Sequence, residues 1–281
     1  MKIIRSPQNL YKELNELKGK NKTIGFVPTM GALHEGHLSL IRAARKENDY
    51  LVVSIFVNPT QFGPKEDLKR YPRPIRKDLE LCRKEKVDFI FYPAAVNLYP
   101  RGFSTFVTVE GLSDMLCGKF RPGHFKGVAT IVTKLFNIIQ PDNAYFGQKD
   151  AQQVIIIKQM VKDLNFAVKI KVMPIFREKD GLAMSSRNIF LSKSERQDAL
   201  VLSKALNLAA MMIKNGARDA RAIINKISQL IRKKKGAMVD YIAITDERSL
   251  RKIKKISGSC LIAMSVRFGK TRLIDNRKVH V

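Results

Sequence analysis

The chain has 281 residues, 45% of them hydrophobic, so it can bury one large core or form one large and one small domain. No apolar run approaches the roughly 18 to 20 residues of a membrane-spanning helix, and the first residues carry no hydrophobic signal-peptide core, so we expect a cytoplasmic protein with no membrane partner. The 52 Lys and Arg residues outnumber the 25 Asp and Glu residues, and the resulting net charge of +27 attracts anions.

Basic residues are spread along the chain and are densest at 232–235 and 251–255, with no aromatic residues between them. This pattern favours a Lys-rich solvated surface over a nucleic-acid-binding protein, and we expect no specific nucleic-acid partner.

The three cysteines, Cys82, Cys117 and Cys260, are far apart and lack a Cys-x-x-Cys spacing. The sequence therefore indicates neither a disulfide framework nor a zinc site.

Strand-like and helix-like segments alternate through about residue 175. Strands are predicted near 24–27, 51–57, 88–92, 143–146 and 168–173, and helices near 37–47, 74–86, 127–139 and 150–164. Such alternation is typical of an α/β fold, here a Rossmann-like, doubly wound parallel sheet. Ligands of these sheets bind beyond the carboxyl ends of the strands, where the strand order reverses.

A second, smaller domain is predicted after the turn residues Lys179-Asp180-Gly181. Two helical stretches, about 193–214 and 217–234, precede three strand-like runs at 239–244, 261–266 and 271–275. We therefore predict a larger domain over 1–176 and a small α+β domain over 177–281.

His34 and His37 lie where the first predicted strand passes into the first predicted helix of this alternation. The unpaired N–H groups and positive dipole of a helix N-terminus favour an anion such as a phosphate, and Gly31 and Gly36 let the backbone approach it closely. The pair could instead be ordinary polar residues or zinc ligands. Zinc is the weakest option, because the metalloprotease pattern spaces its histidines by four and no third ligand is evident.

Three later segments carry groups suited to oxyanions, although each has an ordinary interpretation. Ser185, Ser186 and Arg187 offer hydroxyl and guanidinium groups, but such residues are common in loops. Arg121 precedes a helix and could belong to a lid or to a surface ion pair of little energetic value. Lys149 could neutralise charge that develops during phosphoryl substitution or be a solvated side chain. Residue 150 could be a helix N-cap.

Five motifs in order make the chain resemble the pantothenate synthetase (pantoate–β-alanine ligase) family. They are Pro-Thr-Met-Gly-Ala-Leu-His-Glu-Gly-His, Val-Asn-Pro-Thr-Gln-Phe, Arg-Pro-Gly-His-Phe, Phe-Gly-Gln-Lys-Asp and Gly-Leu-Ala-Met-Ser-Ser-Arg-Asn. The resemblance implies a two-step ligation, in which ATP and pantoate form pantoyl adenylate and pyrophosphate, and β-alanine then displaces AMP to give pantothenate. It also implies that residues 1–176 form the catalytic, ATP- and pantoate-binding domain, that residues 177–281 form a lid domain, and that the protein is a homodimer.

The resemblance implies a role for each matching position. His34, His37 and Lys149 would be catalytic, with His37 as the family's proposed proton donor. ATP would be bound by Met30, Gly31, Ala32, Leu33, His34, Glu35, Gly36, His37, Gly147, Gln148, Lys149, Asp150, Phe176, Met184, Ser185, Ser186 and Arg187. Pantoate and β-alanine would be bound by Gln61, Gln153 and Asn58, with Arg121 and His124 in a gate over the acid site. Mg²⁺ is expected on the ATP phosphates, with Asp78 as the candidate protein ligand.

Two departures and one alternative accompany this prediction. The motif at 184–187 lacks the leading Lys of the tRNA-synthetase signature, and Ala151 stands where relatives commonly have an aromatic residue. A nucleotidylyltransferase that keeps the nucleotide on its product is the alternative enzyme. Asn58, Gln61 and Gln153 argue against it, because they suit a small hydroxy acid.

Overall fold

The computed structural model describes residues 1–64 and 66–281, which form two compact units. Unit 1 comprises Met1–Ser113, Arg121–Gly147 and Gln153–Pro174, and unit 2 comprises Asp114–Phe120, Gln148–Gln152 and Ile175–Val281. Two short segments from the middle of the chain thus belong with the C-terminal part. The domain boundary predicted after residue 176 stays a prediction.

The strands described in unit 1 form a six-stranded parallel sheet in the order β1-β4-β3-β2-β5-β6. The chain runs outward from β2 through β3 to β4 and then returns to place β5 on the other side of β2. This reversal confirms the predicted doubly wound fold and puts the topological switch between β2 and β5. The strands are β1 (Lys2–Ile4), β2 (Ile24–Thr29), β3 (Tyr50–Ile55), β4 (Phe89–Phe91), β5 (Asn143–Gly147) and β6 (Lys169–Met173).

Helices connect these strands and begin with recognisable caps. Pro7 opens the first helix, and the Ser6 hydroxyl caps it by accepting a hydrogen bond from the Asn9 N–H. The helices are α1 (Pro7–Lys18), α2 (Glu35–Glu47), α3 (Ile75–Lys84), α4 (Ala95–Leu98), α5 (Cys117–Phe120), α6 (His124–Ile139) and α7 (Ala151–Asp163).

The core of unit 1 lies on the two faces of the sheet. The central strands are buried almost continuously, as expected for a parallel sheet covered on both faces. One apolar cluster joins β2 and β3 to α2, with Val27, Ile41 and Val53 fully buried in it. This packing fixes the carboxyl end of β2, where the two histidines follow.

Unit 2 contains a three-stranded antiparallel sheet in the order β7-β8-β9 with helices packed on it, which confirms the smaller α+β part. Its elements are α8 (Lys193–Ala199), α9 (Val201–Lys214), α10 (Ala220–Arg232), β7 (Ala237–Asp246), β8 (Ser259–Phe268) and β9 (Thr271–His280). The single helix predicted over 193–214 is wrong, because the structure separates α8 from α9 at Leu200. Leu200 keeps right-handed helical angles, so the apolar periodicity continues through the break and does not reveal it.

Candidate active site

The loop between β2 and α2 is held in a tight conformation at its first residues. The Thr29 hydroxyl donates to the Ser54 carbonyl (2.7 Å) and accepts from the Gly31 N–H (3.1 Å). Gly31 has a φ of +80°, and a Cβ at this position would lie 2.9 Å from Asp78 Oδ2 and 3.0 Å from a methyl group of Ile55. Glycine is therefore required both for the backbone angle and for the close approach.

Asp78, on α3, holds the middle of the same loop. Its carboxylate is 1% exposed and accepts hydrogen bonds from the N–H groups of Ala32 (2.9 Å) and Leu33 (2.8 Å). Burial raises the pKa of Asp78, and the two N–H donors oppose this change. Sequence reasoning did not predict this contact with the loop. Its expected role as a ligand of Mg²⁺ stays a prediction.

His34 and His37 lie together at the N-terminus of α2, and both are partly exposed. Their ring centroids are 4.0 Å apart, and His37 Nδ1 accepts from the His34 backbone N–H at 3.4 Å. An Nδ1 that accepts a hydrogen bond leaves the proton of a neutral ring on Nε2. His37 Nε2 can therefore donate to an oxyanion beside the first turn of the helix.

Asn58 and Gln61 follow β3 and bracket a short 3₁₀ turn, Pro59–Gln61. Asn58 is 1% exposed, and its Nδ2 donates to Gln61 Oε1 and to the Gly127 carbonyl, both at 3.1 Å. Tyr99 donates to Asn58 Oδ1 at 2.8 Å, so the Asn58 side chain is fixed at both ends. Asn58 thereby sets the orientation of the Gln61 amide.

The Gln61 side chain meets the loop that precedes the histidines. Gln61 Nε2 lies 3.0 Å from the sulfur of Met30, while Gln61 Oε1 accepts from Asn58. Two residues predicted from separate motifs for different ligands are thus in contact within unit 1. A thioether is a weak acceptor, so the Gln61 N–H groups would donate more strongly to a carboxylate or hydroxyl oxygen.

Arg121 lies just before α6 and His124 is its first residue, and both contact the Gln61 carbonyl of the Pro59–Gln61 turn. Arg121 donates to both carboxylate oxygens of Glu66 (2.6 and 2.8 Å) and to His124 Nε2 (2.8 Å). The other ring nitrogen, Nδ1, must then carry the proton that bridges 2.8 Å to the Gln61 carbonyl. Burial by itself would raise the pKa of Glu66, but the hydrogen bonds and charge of Arg121 outweigh burial and lower it. Direct contact of Arg121 or His124 with a substrate stays a prediction.

Sequence reasoning missed Glu66 because its partner lies 55 residues away along the chain. The only signal was an acid within three residues of the Asn-Pro-Thr-Gln-Phe-Gly-Pro loop.

Gln153 lies in unit 1 near the start of α7 and is partly exposed. Its predicted contact with pantoate stays untested.

Unit 2 brings other predicted residues together. The Met184 N–H donates to the Phe176 carbonyl at 3.0 Å, so these two positions pair across a hairpin. Ser185 caps the following 3₁₀ helix, and its hydroxyl accepts from the Arg187 N–H at 3.3 Å. Lys149 lies in a separate 3₁₀ turn, Gln148–Asp150. All of these residues are partly exposed except Phe176, which is exposed.

Metal-binding and membrane-spanning features were searched over residues 1–64 and 66–281. Within these ranges no three His, Cys, Asp or Glu side chains form a group that could hold a metal ion. An ion carried on phosphate oxygens would need few protein ligands. None of the helices in the same ranges is both long and apolar enough to cross a bilayer.

Comparison with known proteins assigns the chain to a family. The sequence model of the family described as pantoate-beta-alanine ligase matches residues 2–278. The pantothenate synthetase of Acetivibrio thermocellus is 53% identical over 281 residues, which cover 100% of both chains. That of Caldicellulosiruptor saccharolyticus is 55% identical over 268 residues, or 95% of each chain.

Solved structures show the same similarity. The crystal structure of pantothenate synthetase from Thermus thermophilus superposes with a TM-score of 0.95 at 41% identity, covering 100% of both chains. The pantoate-beta-alanine ligase of Francisella tularensis, crystallised as a complex with β-γ ATP and β-alanine, gives a TM-score of 0.81 at 37% identity. That match covers 99% of this chain and 97% of the other.

Proposed function

The chain belongs to the pantoate–β-alanine ligase family, and we propose that it condenses pantoate with β-alanine to give pantothenate while ATP is split into AMP and pyrophosphate. The observation that carries this proposal is the 3.0 Å approach of Gln61 Nε2 to Met30 Sδ. This contact joins the amide that we propose for an acid oxygen to the loop that leads into the N-terminus of α2, where we propose that phosphate binds.

The first step would activate the acid. A carboxylate oxygen of pantoate attacks the α-phosphorus of ATP, the bond from that phosphorus to its bridging oxygen breaks, and pyrophosphate leaves with the electron pair. Hydrogen bonds from His34, from His37 Nε2–H and from the N-terminus of α2 would stabilise the charge that develops on the phosphate oxygens. The resemblance makes His37 a proton donor to the departing pyrophosphate, and that step requires a ring protonated on both nitrogens, which would replace the hydrogen bond that Nδ1 accepts from the His34 N–H.

The acid would be oriented by amides. Gln61 Oε1 accepts from Asn58, which directs the Gln61 N–H groups away from Asn58, and a carboxylate oxygen, being an acceptor, would meet those N–H groups. The 9% exposure of Gln61 means that such a hydrogen bond would form away from bulk water. We propose that Gln153 holds a second oxygen of pantoate, and that Gln61 also lies near the incoming amine.

The second step would transfer the acyl group. The uncharged amine of β-alanine attacks the acyl carbon, the carbon–oxygen bond to AMP breaks, and the amine loses a proton as the amide forms. We propose that the remaining nucleotide contacts are made by residues 147–150, Phe176 and residues 184–187, with Lys149 near the α-phosphate.

Mg²⁺ would accompany ATP and offset the charge of its phosphates. Asp78 already accepts hydrogen bonds at both oxygens, so we propose that phosphate and water oxygens supply most of the ligands of the ion. We further propose that the protein acts in the cytoplasm as a homodimer.

The decisive experiment follows both the products and the transferred oxygen. Purified protein is incubated with ATP, Mg²⁺, β-alanine and pantoate labelled with ¹⁸O in its carboxylate. An adenylate intermediate predicts one ¹⁸O in AMP, because the acid oxygen attached to phosphorus leaves with the nucleotide. Formation of ADP, or of AMP without pantoate, would disprove the proposal.

A matched pair of variants tests the role of Gln61. Gln61→Ala should lower kcat/KM for pantoate by about a hundredfold, as expected when a substrate-orienting group is lost. Gln159→Ala is the control, because Gln159 bonds only to Asp163 on the exposed side of α7 among the contacts described. Equal kinetics in the two variants would remove Gln61 from the acid site.

A further inference from the structure

We propose that Asn276 on β9 is a positioning residue that sets the conformation of the nucleotide-binding turn Gln148–Asp150. The inference rests on the proposed function, because that function gives Lys149 its role. Asn276 Nδ2 donates to the carbonyls of Gln148 (3.0 Å) and Lys149 (2.9 Å), and Asn276 Oδ1 accepts from Gln148 Nε2 (3.0 Å). One side chain therefore satisfies two backbone carbonyls and one side chain of the turn.

The turn depends on such outside support. A three-residue 3₁₀ turn closes few hydrogen bonds of its own, and its carbonyl groups need partners from elsewhere in the fold. Fixing the carbonyls on both sides of the Lys149 α-carbon restricts the direction in which its side chain leaves the backbone. The Asn276 amide is suited to this task because both of its N–H groups are used and it is 4% exposed.

Asn276 is in turn held by its neighbour on β9. Asp275 is 2% exposed and its Oδ1 accepts from the Asn276 N–H at 2.8 Å. Its carboxylate also pairs with Arg177 through two hydrogen bonds of 2.7 and 2.9 Å, and Arg177 donates to the Gly181 carbonyl at 3.1 Å. The Asp275-Asn276 pair thus holds both the turn with Lys149 and the hairpin that pairs Phe176 with Met184.

Stability alone does not explain a polar pair at this place. Burying an amide or a carboxylate costs free energy unless every polar atom finds a partner, and a packed apolar side chain avoids that cost. The polar residues at 275 and 276 instead direct hydrogen bonds toward the two segments of unit 2 that we expect to bind ATP. Both segments are thereby hydrogen-bonded to the same strand, β9.

The test measures ATP binding directly, by calorimetric titration in the presence of Mg²⁺. Asn276→Ala removes three hydrogen bonds and should raise the Kd for ATP by about tenfold, with KM for pantoate changed less than about twofold. Asn276→Asp keeps the size of the side chain but turns an oxygen toward two carbonyls, and should weaken ATP binding at least as much. This second variant decides the question if the alanine variant does not fold.

Asn207→Ala is the matched control. Asn207 accepts from Arg277, the next residue on β9, at 2.5 Å on the exposed surface, and its loss leaves the turn untouched. ATP affinity within twofold of wild type in both Asn276 variants would overturn the inference. An equal rise in KM for ATP and for pantoate would also overturn it, because that result indicates a general structural defect.

Direct ATP binding also separates this inference from the proposed function. A wild-type protein that binds ATP but makes no pantothenate would refute the ligase activity. The comparison of ATP affinity between wild type and the Asn276 variants would still decide the role of Asn276.

Discussion

Gly127 offers a test of how the proposed acid site is built. The residue lies in α6, where a Cβ would come within 2.4 Å of the Thr60 carbonyl oxygen and 2.6 Å of the Gln61 nitrogen. Non-bonded heavy atoms prefer separations of about 3.5 Å or more. Gly127→Ala therefore requires the helix and the Pro59–Gln61 turn to separate by about 1 Å.

The turn should yield rather than the helix. α6 has 16 residues, most of them buried, so moving it would disturb much of the core of unit 1. Displacement of the turn would also stretch the hydrogen bond from Asn58 to the Gly127 carbonyl. A misplacement of about 1 Å at a reacting group can cost about a hundredfold in rate. We expect kcat/KM for pantoate to fall by this factor.

ATP binding provides the contrast. The loop before α2 is held by Thr29 and Asp78, neither of which contacts Gly127 through a described hydrogen bond, so the Kd for ATP should change by less than about threefold. Overpacking should also cost about 1–3 kcal/mol of stability, offset by the roughly 1 kcal/mol that alanine gains over glycine in a helix.

The assay combines steady-state kinetics in pantoate with ATP titration and thermal unfolding. Gly236→Ala is the control, because, apart from its two chain neighbours, none of the residues that the structure describes has an atom within 4 Å of its would-be Cβ. Wild-type kcat/KM for pantoate in Gly127→Ala would refute the reasoning, since the turn could then move without consequence. A loss of ATP affinity as large as the loss in pantoate kinetics would refute it as well.

Three further predictions concern charged and titrating groups. Asp78→Asn keeps one acceptor oxygen and turns an NH₂ group toward a backbone N–H, so ATP affinity measured by titration should fall about tenfold; an unchanged affinity would show that the loop does not need the second oxygen. His37→Ala and Lys149→Ala should each lower the single-turnover rate of adenylate formation at least about a hundredfold, and an unaltered rate would exclude that residue from catalysis. The pKa of Glu66 is lowered in the folded protein, so its ion pair with Arg121 contributes stability above the ordinary Glu pKa of about 4.3 and loses it as the pH falls through the folded value. Wild type should therefore exceed Glu66→Gln in free energy of unfolding at pH 7, and the difference should shrink at pH 3; a difference that grows toward acid pH would contradict the assignment.

Local sequence was sufficient for most of the fold. Alternating apolar segments predicted the parallel strands β2 to β6 and the longer helices α2, α3, α6 and α7, because hydrophobic periodicity is a local property; the four-residue helices α4 and α5 were not predicted. The three residues of β1 were missed, since so short a strand carries almost no periodic signal. The break between α8 and α9 was missed because the helical pattern continues through it.

The sequence by itself also predicted the local backbone of the candidate phosphate site. The motif at 28–37 predicted a strand, a turn and a helix N-terminus, and the structure has β2 ending at Thr29 and α2 beginning at Glu35. That prediction needs only the backbone geometry of neighbouring residues, together with the tendency of helix N-termini to bind anions.

Only the tertiary structure decided which residues hold the motifs in place. Asp78 lies 46 residues from Ala32, Glu66 lies 55 from Arg121, and Asn276 lies 127 from Lys149. A buried polar group must find a partner wherever the fold supplies one, and no local pattern records a contact across such separations. The candidate reactive groups can therefore be predicted from short motifs, whereas the hydrogen bonds that orient them exist only once the chain has folded.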